Sequence, residues 1–252
     1  MIVKVLASGS KGNSTYIQTN ELKILIDMGT TFQYLANELA KINITPKELE
    51  YILITHTHSD HIKGLSSLVH KTNIQVLATK GMIEELSKKI PLENINMIPD
   101  KFTLEDIKVK LIHNSHDVES VGYIIENNNK SLVYITDTGY INKKYLSVLA
   151  NRNLYILESN HDEKMLMDGP YPFMLKQRVI GDKGHLSNHT TGKILSEVVG
   201  NNTQKIILAH LSEKNNTEEL AYNTVKDILA ANDIHIEPEV AKQYESLDIV
   251  EV

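Results

Sequence analysis

Apolar residues in the first half of the chain fall in short runs, and their spacing switches repeatedly between two and about 3.6 residues. Residues 2–7, 15–18 and 22–27 are β-type runs divided by turns that contain glycine or asparagine. Phe32, Leu35, Leu39 and Ile42 stand at helical spacing and predict a helix. Thr45-Pro46 offers an N-cap followed by proline at the first helical position, a short turn before the apolar run Tyr51-Ile52-Leu53-Ile54. A helix through Ile62, Leu65, Leu68 and Val69 follows, then a strand over 74–78 and a helix over 82–89. Strands are expected over 107–113, 121–126 and 132–136, with Asn127-Asn128-Asn129 as a hairpin turn.

The second half alternates more regularly. It predicts a strand over 154–158, a helical region through Arg178, a helix over 191–199, a strand over 205–209 and a helix over 218–231. Further strands are expected near Ile234 and Leu247. Strands at the start followed by strand–helix alternation predict an α/β fold of two packed sheets with helices outside. No linker composition, low-complexity tract or fixed-period repeat divides the chain, so one domain over 1–252 is expected.

Composition narrows the class. A chain of 252 residues with 41% hydrophobic and 23% charged residues is ordinary for a globular protein. No run of about 18 uncharged apolar residues predicts a membrane span. The first seven residues are too short an apolar segment for a signal peptide and read as a strand. With no cysteine, disulfides and thiolate metal sites are excluded, which suits a reducing cytoplasm. The net charge of −6 is uneven. Residues 237–252 carry five acids against one lysine, whereas 171–188 carry three cations against one carboxylate. A nucleic-acid partner is therefore compatible with the overall acidity if the latter segment borders the site.

The chemistry begins directly after the run at 51–54, in Thr55-His56-Thr57-His58-Ser59-Asp60-His61. In extended backbone His56 and His58 point to one side, so a single ion can take both imidazoles. Asp60 and His61 follow where the spacing becomes helical and face a neighbouring point, which reads as the first half of a two-metal centre. His116, Asp137 and His210 each follow an apolar strand, where sheet proteins expose their chemistry. Five neutral imidazoles, Asp60, Asp137 and a bridging hydroxide would leave two divalent ions with one net positive charge, a match for a phosphodiester. Nitrogen and carboxylate donors admit Zn²⁺, Mn²⁺ or Fe²⁺. Asp27 reads equally as an acceptor orienting a ligand imidazole and as a strand-end turn residue.

The order His-x-His-x-Asp-His, then His116, then Asp137 in Thr136-Asp137-Thr138-Gly139, then His210 resembles the metallo-β-lactamase superfamily. Leu25-Ile26-Asp27-Met28-Gly29 resembles its early Asp motif, and the likeness extends over nearly the whole chain. It implies a four-layer αββα sandwich. It also implies that His56, His58 and His116 hold one metal, that Asp60, His61 and His210 hold the second, and that Asp137 bridges them. Leu6-Ala7-Ser8-Gly9-Ser10-Lys11-Gly12-Asn13-Ser14, Ser115-His116-Asp117, Glu158-Ser159-Asn160-His161-Asp162 and Gly184-His185-Leu186-Ser187-Asn188 are similar to the YycJ (WalJ) group, associated with nuclease activity and DNA repair. That resemblance places His161 and His185 near the metals, where an imidazolium binds phosphate oxygens or protonates a leaving group.

The Ser8–Ser14 loop, with Ser8 and Asn13 as substrate-binding candidates, reads either as a phosphate-facing run of N–H groups or as a tight β-turn. His70, His113, His189 and His235 carry no predicted role beyond structure or capping. The expected function is a two-metal phosphodiester hydrolase in which Asp60, Asp137 and His185 are catalytic, acting on DNA from a 5′ end. Zinc or manganese would be the pair of ions, no membrane partner is expected, and a homodimer stays open. The alternatives are a glyoxalase II-like thioester hydrolase, which uses the same ligands, and a non-catalytic, metal-stabilised nucleic-acid-binding protein.

Overall fold

Strand β1 (Ile2–Ala7) pairs antiparallel with β2 (Ser14–Gln18), and β2 with β3 (Lys23–Ile26). From β3 the sheet turns parallel through β4 (Tyr51–Leu53), β5 (Gln75–Ala78) and β6 (Ile95–Met97). Helix α1 (Phe32–Ala40) makes the β3-to-β4 crossover, capped by Thr31, whose hydroxyl accepts from Tyr34 N–H. The single helix expected after the histidine motif is two: α2 (Ser59–Ile62) and α3 (Leu65–Thr72), with α4 (Ile83–Ser87) before β6. This computed structural model describes residues 1–252, and Met1–Lys110 with Lys242–Glu251 form one compact unit.

The other unit is Leu111–Ala241 with Val252. Strand β7 (Lys101–Leu104) forms a hairpin with β8 (Ile107–His113), and β8 runs on into this second unit. Next come β9 (Val121–Asn127) and β10 (Lys130–Ile135), joined through Asn128 in the left-handed region (φ 53°), as the asparagine run predicts. Helix α5 (Leu146–Leu149) precedes β11 (Leu154–Glu158), and α6 (Glu163–Asp168), α7 (Phe173–Ile180) and α8 (Asn188–Val198) follow it. Strand β12 (Lys205–Ala209), helix α9 (Glu218–Ala230), β13 (Glu239–Val240) and β14 (Val250–Glu251) complete the chain. Strands β10, β11, β12 and β13 run parallel, and β14 pairs with β1. Each sheet has seven strands.

Parallel strands need both faces covered, so they read as continuous apolar runs. Leu154-Tyr155-Ile156-Leu157 and Ile206-Ile207-Leu208 are buried throughout, and the core on one side of this sheet is closed by Leu195 and Val198 of α8 and Val225 and Leu229 of α9. The strands expected near Ile234 and Leu247 are not there. Ile234 and Ile236 pack on that core from irregular backbone, and Leu247 meets β1 through its N–H on the Val5 carbonyl. The two-residue strands that do form are too short to show a period. Strands β6 and β7, unforeseen in the sequence, are mostly exposed or half-buried edges with little apolar signal.

Candidate functional site

Parallel register aligns the carboxyl ends of neighbouring strands, and those ends carry the chemistry. In the first unit Ile26 pairs with Leu53, which sets Asp27 beside the Ile54-Thr55-His56 exit. In the second, Ile135 pairs with Leu157 and Glu158 with Ala209, so Asp137, Glu158 and His210 leave one edge together. Asp27, Asp137 and His210 all take left-handed backbone, with φ of 61°, 58° and 57°. That conformation is uncommon for residues with a side chain, and here it turns each side chain sharply off its strand.

The first cluster is held by Asp27. Its buried carboxylate accepts hydrogen bonds from His61 Nδ1 (2.7 Å), Thr55 Oγ1 (2.7 Å) and Thr55 N–H (2.8 Å). Burial pushes the Asp27 carboxyl upward, and the His61 ring and Thr55 pull it back. The bond fixes His61 with Nδ1 inward, leaving Nε2 3.6 Å from Asp60 Oδ2. The His56 ring lies 4.7 Å from that of His58 and 4.0 Å from that of His61. The four motif side chains thus converge, and Asp27 is both a strand-end turn residue and the acceptor that orients the His61 imidazole. Asp27→Asn keeps the turn but replaces the anion on His61. It is expected to weaken metal affinity by roughly 10- to 100-fold, read by competition against a chelating dye.

Ser8 and Asn13 are almost wholly buried, and Asn13 sits against this cluster. The Asn13 backbone N–H donates to the Asp60 carbonyl, its amide holds Gly9, and its Nδ2 is 3.0 Å from His61 Nε2. A Cβ on Gly29 would come within 1.6 Å of the Asp60 carbonyl oxygen, so glycine is required for this close approach. The loop is tightly packed, with the Asn13 side chain bonded back to Gly9.

The second cluster surrounds two carboxylates. Asp137 Oδ1 lies 3.5 Å from His210 Nε2, 3.8 Å from His185 Nδ1 and 4.0 Å from His116 Nε2. Glu158, which sequence reasoning left without a role, is fully buried behind them. Its Oε1 accepts from His185 Nδ1 (2.7 Å) and His210 Nδ1 (3.0 Å), and its Oε2 from Thr138 N–H (3.0 Å) and Leu186 N–H (3.3 Å). Burial alone would raise the Glu158 carboxyl, but the His185 charge and the imidazole hydrogen bonds outweigh it and hold the group well below its ordinary value. Burial likewise opposes the charged form of His185, yet Glu158 holds its imidazole above the usual histidine range. Donor atoms of Asp137, Glu158, His185 and His210 all lie within 4.8 Å of one another. A Cβ on Gly139 would meet the Asp182 carbonyl at 2.2 Å, so the Asp137 turn packs tightly on the loop that leads to His185.

His161 belongs to the same neighbourhood but is shut in, at 1% exposure. Its segment bridges to Ser187, and Nδ1 of its ring has no hydrogen-bond partner. A substrate contact there requires this loop to move. Burial drives its pKa down to about 4. Between the ordinary value of 6.5 and 4 an unfolded chain takes up this proton before the folded one, so stability falls with falling pH in that window. His161→Leu is expected to reduce the stability lost between pH 7 and 4.5 by about 2 kcal/mol. Urea unfolding at both pH values checks this, and equal losses in the two proteins would refute it. His70, His113, His189 and His235 are exposed, and Ser187 rather than His189 caps α8.

A family model described as a beta-lactamase superfamily domain matches residues 23–211. The chain belongs to that superfamily. It is 37% identical over 240 residues to the exodeoxyribonuclease WalJ of Streptococcus pneumoniae, covering 92% of this chain and 89% of the relative. It is 39% identical over 231 residues to the exodeoxyribonuclease YycJ of Bacillus anthracis, covering 89% and 88%. Within the superfamily it is thus a member of the WalJ/YycJ group. The metallo-β-lactamase fold protein YhfI of Bacillus subtilis superposes with a TM-score of 0.76 at 18% identity over 98% of both chains. The fold is therefore the metallo-β-lactamase fold that the motif order predicts. No helix of this superfamily member is long and apolar enough to cross a membrane.

Proposed function

We propose that the protein is a dinuclear metal-dependent phosphodiesterase, a cytoplasmic exonuclease that cuts DNA from a 5′ end in repair. The observation that carries this reading is the backing of imidazoles by buried carboxylates, Asp27 on His61 and Glu158 on His210. Such backing fixes the tautomer and turns Nε2 outward as a ligand. A solvated histidine cluster has no need of it. The donor set, nitrogen and carboxylate without sulfur, fits Zn²⁺ or Mn²⁺. In this reading His56, His58 and His116 would hold one ion, Asp60, His61 and His210 the other, and Asp137 would serve both. A pair of such ions, when bound, would supply an activated water and a clamp on the attacking and leaving oxygens.

The chain's own residues supply the rest. Glu158 holds Nδ1 of His185 and favours its protonated form, and the side chain keeps 22% exposure, so Nε2 can pass a proton to a departing sugar oxygen. The names of the WalJ and YycJ relatives favour DNA as the substrate. The test is turnover of bis(p-nitrophenyl) phosphate and of a 5′-phosphorylated DNA duplex beside S-lactoylglutathione, with Mn²⁺ and Zn²⁺ supplied separately. Phosphodiester cleavage that chelation removes is expected. Thioester turnover with both phosphodiesters untouched would overturn the proposal.

A further inference from the structure

A cavity of about 120 Å³ opens between the end of β8 and the segment after the Asp137 turn, its wall including His113, Asn114, Ser115, Tyr140, Asn142 and Lys144. Its place is set by the turn itself. The Gly139 N–H donates to the Ser115 carbonyl (2.9 Å), and the Ser115 N–H to Thr138 Oγ1 (3.0 Å). Ser115 directly precedes His116, and Tyr140 follows Asp137 by three residues, so the cavity adjoins two of the proposed ligands along the backbone.

Its chemistry is one-sided. No lining side chain is a carboxylate. The Lys144 ammonium forms no ion pair and lies over the Tyr145 ring, 4.8 Å from its centroid. Asn142 accepts the Lys144 N–H through Oδ1 (3.0 Å), which leaves its amide hydrogens to donate. Tyr140 and Ser115, which also line the cavity, carry hydroxyls able to donate. Asn114 uses its own amide hydrogens on Ser120 and on the Thr136 carbonyl, so it serves as wall. The volume of about 120 Å³ leaves room for a phosphate group.

We propose that this cavity is a subsite for a phosphate monoester, the 5′-terminal phosphate of the DNA strand whose adjoining bond is cut. The inference rests on the nuclease reading above. A terminal phosphate presents three free oxygens and about −1.5 to −2 charge at neutral pH, whereas an internal phosphodiester presents two free oxygens and a single charge. Donors gathered from two walls around one unpaired ammonium match the former.

The test uses the metal-loaded full chain on duplexes ending in 5′-phosphate, in 5′-hydroxyl, or in 5′-hydroxyl with a 3′-phosphate. Wild-type protein is expected to degrade the 5′-phosphorylated duplex at least about tenfold faster than the 5′-hydroxyl duplex. Lys144→Ala is expected to bring that ratio near one, and Lys144→Arg to keep it. A ratio that Lys144→Ala leaves unchanged, or a preference for the 3′-phosphate, overturns the inference. Calorimetric titration with dAMP and with inorganic phosphate gives a readout apart from turnover. Weaker dAMP binding in Lys144→Ala supports the subsite. Equal binding of dAMP, and of inorganic phosphate, by the two proteins overturns it. Bis(p-nitrophenyl) phosphate has no terminal phosphate, so failure of the wild type on that substrate counts against the nuclease reading, while the dAMP titration still decides the cavity.

Discussion

Asp137→Asn is expected to lose at least about 1,000-fold in phosphodiester turnover, a barrier increase of roughly 4 kcal/mol, and to bind less metal than the wild type. The choice of asparagine matters. Asp137 holds φ at 58°, where alanine would add roughly 1–2 kcal/mol of backbone strain to any chemical effect. Asparagine tolerates that conformation and keeps the side chain's shape, so what changes is the charge. That charge is nearly all buried, with one oxygen 3.5–4.0 Å from nitrogens of His210, His185 and His116. Nε2 of His210 and of His116 can each offer a lone pair beside that oxygen, while His185 Nδ1 is committed to Glu158, so a cation between Asp137 and the first two would satisfy all three donors. Metal content after dialysis, measured by atomic absorption alongside turnover, decides the matter. A variant with wild-type rate and wild-type metal content would remove Asp137 from the centre and the bridging arrangement with it.

What the sequence disclosed followed from strand ends. His56, His116, Asp137 and His210 were legible because each polar residue interrupts or closes an apolar run, and a strand exit is a fixed direction in a sheet. Asp27 was ambiguous, since an aspartate in that position suits a turn as well as an acceptor. The distinction lies in the His61 ring, 34 residues away, whose Nδ1 it holds. Glu158 was passed over for a related reason. It closes β11 as the others close their strands, but no spacing along the chain connects it to His185 and His210, 27 and 52 residues onward. Register between β10, β11 and β12 would have found it, because a third parallel strand between two that carry chemistry ends at the same edge. The 8–14 loop was unclear because glycine and serine suit both phosphate binding and close backbone packing. Close packing is visible in the structure, where a Cβ on Gly12 would come within 2.8 Å of the Gly29 carbonyl oxygen.

Glu158→Gln should separate a buried ion-pair hub from an ordinary surface pair. One fully buried carboxylate there takes four donors, two imidazole nitrogens and two backbone N–H groups. An amide has one acceptor oxygen and one NH₂ group. Whichever way it turns, N–H faces N–H on one side, and the His185 charge loses its partner. Breaking a buried pair from one side typically costs about 3–5 kcal/mol, and each kcal/mol moves the midpoint of a chain this size by about 2–4 °C. A fall in melting temperature of roughly 6–20 °C is therefore expected. Turnover should drop even at temperatures where circular dichroism shows the variant folded, because His210 and His185 lose the bond that orients both rings. Glu126→Gln is the control, since Glu126 pairs with Arg152 at 41% exposure, and a pair of that kind contributes about 1 kcal/mol or less. Its melting temperature and its turnover should both stay close to wild type. If Glu158→Gln behaved as Glu126→Gln is expected to, the carboxylate behind His210 and His185 would be a spectator, and the case for pre-oriented metal ligands in the second unit would lose its main support.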